Sequence, residues 1–486
     1  MSLLRSSMPR RAARVGALLV IPAISILQGC ARNRPVSDRS DPKRAAAERR
    51  DGGLAADPTR LYQSLGFIAT GEPLPLVGTV RYLAGPTPDT TLVLLAISMA
   101  NRALSFSRDG DRFRASYQVN ADLRQGGSAI RRIEARETVR VGSFRETSRG
   151  DESVIFHQVL SVAPGAYSLV LGVRDESAAR TVSHESSLTV PRFAAGSISS
   201  PVPVYQAVPR AALDVLPNVV VSPRATVVFG QDSVIPVYLE GYGPSGPGTP
   251  DRLPIALAVR AEKGTVIWRD TVRLERSGSL YSGVIRVPVA RVGVGPVTLV
   301  AWRTRMAGDT LPPDSASAPL LVSFGDELPA ATFEQMVNYL RYYATVEQLS
   351  SLRNASAEDR PAAWGAFLRS TDPVPGTPAH EGLRDYFARL QLANQRFAEP
   401  AQQGWLSDRG MVFIVLGEPD QVYEEGAVGD IGGGGRGRLQ RWEYRQHNVI
   451  LTFVDQNGFG RYRLTASSDA EFRLLSSRLV GAQPGR

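Results

Sequence analysis

The chain has 486 residues, of which 43% are hydrophobic and 21% charged, and its formal net charge is +9 at pH 7. This composition is typical of globular protein and excludes wholesale disorder, and the length leaves room for about three domains. Arg5, Arg10, Arg11 and Arg14 contribute four of the nine excess charges, which leaves +5 for the rest of the chain. The other basic residues are interleaved with acids, so we predict no nucleic-acid partner.

The first 29 residues have the three-part pattern of an export signal. A basic segment through Arg14 precedes an apolar run from Val15 to Leu27, which is short for a membrane span and contains Pro22. The run ends in Leu27-Gln28-Gly29-Cys30, which resembles the bacterial lipobox, where the cysteine is acylated before cleavage. Cys30 is the only cysteine in the chain, so no internal disulfide can form. We therefore predict a lipoprotein signal peptide over residues 1–29 and lipidation of Cys30, the alternative being a chance thiol.

Residues 30–58 are predicted to be a disordered tether between this lipid and a folded body. They are rich in charge, Ala, Pro and Gly, and their only large apolar residues are Val36 and Leu54. Such a segment cannot offset the entropy cost of ordering itself. The expected location is the bacterial cell envelope, and Ala31 after the cysteine favours the outer membrane. The sequence leaves open whether Met1 or Met8 is the start.

Two stretches, residues 59–195 and 215–325, have the two-residue period of half-buried strands. The alternating apolar positions are clearest at Phe113, Ala115, Tyr117 and Val119, at Tyr167, Leu169, Leu171 and Val173, and at Ile255, Leu257 and Val259. Turn pairs such as Asp109-Gly110 and Pro164-Gly165 separate the strands. We predict a mainly β, multidomain chain with two immunoglobulin-like β-sandwich modules, joined by a proline-containing linker over residues 196–214.

The apolar period changes to three and four near residue 329, which predicts a small helical subdomain. Helices are expected over residues 330–353, from Ser356 onward, and from Thr377 as N-cap with Pro378 at the first helical position. Strands are then expected over 411–416, 439–445, 449–454 and 460–465, with Asn457-Gly458 as a hairpin turn between the last two. Residues 326–470 are thus predicted to join helices to a C-terminal antiparallel β-sheet, and residues 471–486 to form a tail.

This region carries a family resemblance. Gly404-Trp405-Leu406-Ser407-Asp408-Arg409-Gly410, followed by an apolar run and by Gly417, Pro419 and Asp420, resembles the signature of the GWxTD domain proteins, which are predicted bacterial lipoproteins of undetermined activity. Residues 372–378, 393–397 and 453–460, the last including Asn457 and Gly458, extend the match. Ser407 replaces the threonine of the signature but keeps a hydroxyl. The resemblance implies an envelope lipoprotein and implies no reaction.

The signature residues allow a structural and a functional hypothesis. A tryptophan before a polar turn more often fills a core than stacks on a ligand, so we favour a structural role for Trp405. If a strand starts here, Asp408 and Arg409 point in different directions, and Arg409 could be held by Glu418 or Asp420. A binding role of the signature stays open.

Chemistry-bearing residues form no recognisable catalytic pattern. Glu418, Asp420, Glu424 and Glu425 lack the ordered spacing of a cation site, the four histidines are scattered, and no nucleophile motif is present. We predict no catalytic residue, cofactor or metal. The leading hypothesis is a non-catalytic, lipid-anchored binding or scaffold module for an envelope protein or glycan. The alternative is an envelope hydrolase or metal-dependent enzyme around Asp408, Glu418 and Asp420.

Overall fold

A computed structural model describes residues 58–481 except 151, 244–249, 279, 306–313, 326–327, 378, 401 and 426–436. The described residues are mainly β, with 46% in strands and 24% in helices, which confirms the predicted mainly β class. The predicted signal peptide, Cys30 and the predicted tether up to residue 57 lie outside the described residues. Among the helices of the described part, none combines the length and the apolar character needed to cross a bilayer.

The first module contains two sheets. In chain order its elements are α1 (Thr59–Ser64), β1 (Ile68–Thr70), β2 (Leu76–Ala84), β3 (Thr91–Ala100), a 3₁₀ turn (Asn101–Ala103), β4 (Ser107–Asp109), β5 (Arg112–Gln125), β6 (Ser128–Val141), α2 (Phe144–Thr147), β7 (Glu152–Val162), β8 (Gly165–Asp175) and β9 (Arg180–Val190). One sheet has the strand order β1-β2-β3-β7. The other has the order β4-β5-β8-β9, with β6 also paired to β5.

Alternating side chains from both sheets share one core. Tyr117 and Val119 on β5 are buried against β3 residues such as Leu95, as the two-residue period predicts. Strand β3 differs, because all ten of its residues are buried. Its second face, including Leu92, packs against the second module through residues such as Val204.

The second module is one hydrogen-bonded path of nine strands. They are β10 (Val202–Val208), β11 (Asn218–Val221), β12 (Thr226–Val228), β13 (Val234–Gly241), β14 (Arg252–Ala261), β15 (Val266–Ser277), β16 (Leu280–Pro288), β17 (Gly295–Arg303) and β18 (Ser315–Ser323), with a 3₁₀ turn at Val289–Arg291. The order is β11-β10-β13-β16-β15-β14-β17-β18-β12. Strands β15 and β16 pair only from Glu275–Ser282 to Ser277–Leu280, so this short hairpin joins the half of the path that ends at β16 to the half that begins at β15. The two halves bury a common core.

The segment predicted as a linker contains a strand of this sheet. Strand β10 pairs with β11 and β13, and its residues Val202 and Val204 are buried. The prolines of this segment suggested an unpaired connection between two domains. Strand β10 nevertheless pairs with β11, with a register shift between Val204 and Gln206. The two modules are therefore packed together along β10.

A buried ion pair also joins the modules. Arg210 donates from Nε and Nη2 to the two carboxylate oxygens of Glu240, at 2.7 and 2.8 Å, and both side chains are enclosed. Arg210 Nη2 also donates to the Ala84 carbonyl of the first module at 2.6 Å. Tyr242 donates to Glu240 and accepts from the Ala84 amide. Burial lowers the pKa of Arg210, but the hydrogen bonds and charge of Glu240 more than offset this, so the pKa is raised.

The C-terminal region combines helices with a four-stranded sheet. Its elements are α3 (Phe333–Tyr339), a 3₁₀ turn (Leu340–Tyr342), α4 (Val346–Asn354), α5 (Arg360–Thr371), α6 (Glu381–Arg396), a 3₁₀ turn (Gly404–Leu406), α7 (Asp408–Leu416), β19 (Gln421–Glu425), β20 (Arg438–Tyr444), a 3₁₀ turn (Arg445–His447), β21 (Val449–Asp455), β22 (Arg463–Leu464) and α8 (Ala466–Gly481). The sheet is antiparallel, in the order β19-β20-β21-β22. Its core is continuous with that of the second module.

The structure corrects the predicted helix starts. The single helix expected over 330–353 is wrong, because a capping box between Thr345 and Gln348 starts a new helix, α4, after α3 has ended. Thr377 is not the N-cap of α6. His380 caps it instead, with Nδ1 accepting from the Leu383 amide at 3.1 Å.

Two further differences lie in the C-terminal part. The strand expected over residues 411–416 is wrong, because these residues form α7. A short, wholly apolar run does not distinguish a buried strand from a buried helix by period alone. Helix α8 crosses the boundary drawn between residues 470 and 471, and its Phe472 is buried.

Candidate functional site around residues 404–410

Ser407 holds the 404–410 segment together. It is the N-cap of α7, and its buried hydroxyl accepts from the Gly410 amide at 3.0 Å and donates to the Gly404 carbonyl at 2.7 Å. Both contacts use the hydroxyl alone. Serine therefore supplies the hydrogen bonds that this turn requires without the methyl group of threonine.

The two glycines allow backbones to approach closely here. A Cβ on Gly410 would lie 1.9 Å from the Gly404 carbonyl oxygen, and one on Gly404 would lie 2.3 Å from the Ala393 carbonyl oxygen. The Gly404 amide also donates to Asn394 Oδ1 at 3.0 Å. The segment therefore packs directly on the end of α6, and neither glycine position has room for a side chain.

Trp405 fills the core under this turn. It is 3% exposed, and its ring contacts those of Tyr339 and Tyr342, with centroids 5.6 and 6.3 Å away. The Arg341 guanidinium lies 5.0 Å from the indole centroid, and the indole nitrogen donates to Gln403. These contacts support the structural hypothesis for Trp405, because no open ring face is left for a ligand.

Asp408 and Arg409 lie in the first turn of α7. Asp408 Oδ2 accepts from the Leu464 amide at 2.8 Å. Arg409 lies 4.0 Å over the Tyr462 ring, and its Nη2 is 3.7 Å from Glu399 Oε1. Burial lowers the pKa of Arg409, and Glu399 partly offsets that effect. The hypothesis of a clamp from Glu418 or Asp420 to Arg409 is therefore wrong.

The acids after α7 do not converge. Each contacts a different partner: Glu418 pairs with Arg396 at 2.6 Å, Asp420 accepts from the Arg445 amide at 2.7 Å, Glu424 accepts from Gln440 at 2.6 Å, and Glu425 pairs with Arg441 at 3.2 Å. The hydrogen bonds from Arg396 lower the pKa of Glu418. In the described part of the chain, no three His, Cys, Asp or Glu side chains are grouped to hold a metal.

Gly417 and Pro419 lead from α7 into β19. Gly417 ends the helix at φ +83°, a conformation that favours glycine, and its carbonyl accepts from the Tyr444 hydroxyl at 3.1 Å. Pro419 is half-buried in the connection. Both residues shape the connection between helix and sheet.

The sequence patterns did not identify Glu399, whose side chain contacts several residues of this site. Its side chain is enclosed, accepts from the Tyr462 amide and from Arg463 Nη1, each at 3.1 Å, and faces Arg409. A lone acid before a proline gives no pattern from which such a role can be predicted. With Asp408, it fixes the start of β22 against α7.

The loop before β22 presents an exposed aromatic residue. The enclosed carboxylate of Asp455 accepts from the amides of Phe459, at 3.3 Å, and Gly460, at 2.7 Å. Gly458 takes φ +68°. The predicted hairpin between β21 and β22 is confirmed, but its loop, residues 456–462, is longer than the 455–459 segment left between the predicted strands. Phe459 is held at the surface, 73% exposed.

The comparisons match the region that contains this site. The family model of the GWxTD domain matches residues 313–456, which include β18, helices α3 to α7 and strands β19 to β21, and exclude β22 and α8. No curated protein matches the chain. One matching solved structure is that of Bifidobacterium dentium beta-glucuronidase complexed with coumarin-3-O-glucuronide, at 11% identity and a TM-score of 0.18. The match covers 52% of this chain and 44% of that one, and so low a TM-score indicates nothing about activity.

Proposed function

We propose, on the premise that the chain is a GWxTD domain-containing protein, that it is a non-catalytic binding or scaffold protein of the bacterial cell envelope. Its partner would be an envelope protein or a glycan. Phe459 carries this proposal, because a large aromatic side chain stands in solvent on a loop whose backbone is held in place. Aromatic anchors on preorganised backbone are the typical strong contacts of binding surfaces.

The neighbours of Phe459 suit a binding surface as well. Arg461 and Arg463 are exposed beside it, and each is held: Arg461 Nη2 donates to the Pro400 carbonyl at 3.0 Å, and Arg463 Nη2 donates to Gln402 Oε1 at 2.9 Å. Arginine and aromatic residues are enriched where partners bind most tightly. Their fixed positions reduce the entropy that a partner must overcome on binding.

The 404–410 segment supports the surface indirectly. Asp408 holds the Leu464 amide, and Glu399 holds Tyr462 and Arg463, so the end of the loop is fixed to α7. In this proposal the signature residues position the surface and do not contact the partner. The packed modules before it then act as a spacer from the membrane.

The first module supports a finer proposal about its fold. We propose that it is immunoglobulin-like, as two packed antiparallel sheets suggest. Tyr167, near the start of β8, donates from its hydroxyl to the Ala163 carbonyl at 2.8 Å. A tyrosine that bonds back to the preceding backbone at a sheet corner is a common feature of such sandwiches.

The test of the binding proposal is Phe459→Ala, compared with Phe144→Ala, which removes an equally exposed phenylalanine (70%) from the first module. In-cell cross-linking and quantitative mass spectrometry of the co-purified material would measure partner capture at equal protein abundance. We expect Phe459→Ala to lower capture about tenfold or more, as the loss of an aromatic anchor does. Phe144→Ala should match the wild type. Equal capture by all three proteins would refute a role of this surface.

The anchor has its own test at Cys30, since the proposal of a lipid there depends on the sequence alone. The wild type should sediment with membranes and incorporate an alkyne-labelled fatty acid. Cys30→Ala should lose the label and remain soluble or unprocessed, because acylation requires the thiol. Phe459→Ala serves as the labelled control. Incorporation that persists in Cys30→Ala would show that Cys30 is not the lipid attachment site.

A further inference from the structure

Strands β15 and β16 separate soon after their shared turn and leave two open edges. Their pairing ends at Glu275–Ser282. Beyond that point β15 pairs with β14 on one side, and β16 pairs with β13 on one side. Among the described residues, no strand pairs with the other edge of either one. Residues 266–274 of β15 and 283–288 of β16 thus form a fork with an unpaired strand edge on each arm.

The fork has room for a ligand. A cleft of about 310 Å³ lies between its arms, lined by residues 272–275 of β15 and 282–286 of β16. Clefts that bind ligands have volumes of roughly 300–1,000 Å³. Leu274 and Ile285 in the lining are buried, while Val272 and Val284 are half-buried. The cleft therefore offers apolar surface at the point where both strand edges become open.

The backbone groups on the open edge of β15 can be assigned from the pairing pattern. In an antiparallel strand, the N–H and C=O groups of alternate residues point to the same neighbour. The Arg276 amide donates to the Asp251 carbonyl on the β14 side, at 2.9 Å. Arg273 and Thr271 therefore direct their backbone groups toward the open edge. The Thr271 amide donates to the carboxylate of Asp270, at 2.7 Å, instead of to a strand.

Arginines give the fork a positive charge. Arg273 on β15 and Arg286 on β16 both line the cleft, and both are exposed. Neither is paired with an acid among the described residues. The one acid in the lining, Glu275, already pairs with Arg252 at 3.0 Å. The cleft therefore favours a ligand that carries negative charge.

We propose that the fork binds an acidic, extended segment of a partner protein, which adds to the open edge of β15 as an antiparallel strand. The backbone of this segment would pair with Thr271 and Arg273. Its acidic side chains would lie beside Arg273 and Arg286, and its apolar side chains would point to the face where Leu274 lies. Strand addition to an open edge is a recurring mode of peptide recognition, in which the backbone supplies affinity and alternate side chains supply specificity. The site is independent of the proposed Phe459 surface.

Charge argues against a second copy of this chain in the fork. Arg269 and Arg273 are both exposed on β15, so two copies joined edge to edge at this strand would bring arginines toward arginines. Like charges opposite each other destabilise a strand pair, and charged edge residues commonly prevent self-association. An acidic strand would be attracted by the same side chains, so one feature excludes the wrong partner and favours the right one.

The experiment titrates a fluorescent peptide with the full chain and follows its anisotropy. The probe has about seven residues, a length that fits the open edge of β15, and alternates glutamate with valine. We expect saturable binding at one site per chain, weakened by added salt because the charges lie at the surface. The same peptide with lysine in place of glutamate should not bind.

Two N-methylated forms of the probe test for strand pairing without any change to the protein. Directly opposite residues of an antiparallel pair share a side-chain face. The amides of the glutamates, whose side chains would lie beside Arg273, would therefore face β15, and those of the valines would face away. Methyl groups on the glutamate amides should abolish binding, and methyl groups on the valine amides should leave it nearly unchanged. Equal binding of both forms would overturn strand addition.

Charge reversal tests the arginines. Arg273→Glu combined with Arg286→Glu should weaken the affinity about tenfold or more. Arg112→Glu combined with Arg140→Glu makes the same change of net charge at two exposed positions of the first module and should bind like the wild type. A wild type without saturable binding, or unchanged affinity in the first double variant, would refute the site. Sedimentation of the wild type as a dimer that the probe dissociates would identify a second copy as the occupant and would also overturn the proposal.

Discussion

Replacing Arg210 by methionine is expected to lower the free energy of unfolding by about 3–5 kcal/mol, because it leaves the enclosed Glu240 carboxylate without its counter-charge. The variant also loses the hydrogen bonds from Arg210 to the carbonyls of Ala84, Leu213 and Val215. Urea denaturation followed by tryptophan fluorescence measures the change. We expect limited proteolysis to cleave the variant faster near residues 196–214, because the contact between the modules is weakened.

A double variant separates the ion pair from its surroundings. Arg210→Met combined with Glu240→Leu should regain part of the lost stability, because replacing both charged partners avoids an unpaired buried charge. The exposed pair of Arg252 and Glu275 is the control, and Arg252→Met should change stability little. If Arg210→Met proved as stable as Arg252→Met, Arg210 would not hold the modules together.

The strands were predictable wherever one face of a sheet is polar. Strand β5 alternates in sequence and in burial, so its period alone identified it. Strand β3 has ten buried residues and no such alternation, since its second face meets another module. Packing between modules depends on residues far apart in the chain. For that reason Arg210, inside a predicted linker, gave no sign of its partner Glu240.

The candidate site shows the same limit. The apolar run after Gly410 was predicted as a strand, yet Ser407 caps a helix there, and a cap is recognised only once the helix is assumed. That error placed Asp408 and Arg409 on opposite faces of a strand. In the helix both side chains lie near the start of β22: Asp408 accepts from the Leu464 amide, and Arg409 faces Glu399. The resemblance identified the segment correctly, and the fold explains what its residues do.

Gly410→Ala is expected to destabilise the chain by more than about 3 kcal/mol, which would make it one of the most damaging single-methyl substitutions. The added Cβ would lie 1.9 Å from the Gly404 carbonyl oxygen, and that neighbour is backbone, which cannot rotate away. Alanine favours helix over glycine by only about 1 kcal/mol, too little to offset the overlap. Thermal unfolding, together with circular dichroism for helix content, would measure the loss.

The matched control is Gly365→Ala, inside α5. A Cβ there would lie 3.3 Å from the flexible end of Arg369 and 3.9 Å from the Phe229 ring, which is ordinary contact, so the same substitution should be neutral or stabilise by up to about 1 kcal/mol. Ser407→Ala provides a graded variant if Gly410→Ala does not fold, and loss of this cap should cost about 1 kcal/mol. The opposite effects of one substitution in two helices follow from backbone contact alone. Equal melting temperatures for the two alanine variants would therefore show that the close approach of residues 404 and 410 does not exist in solution.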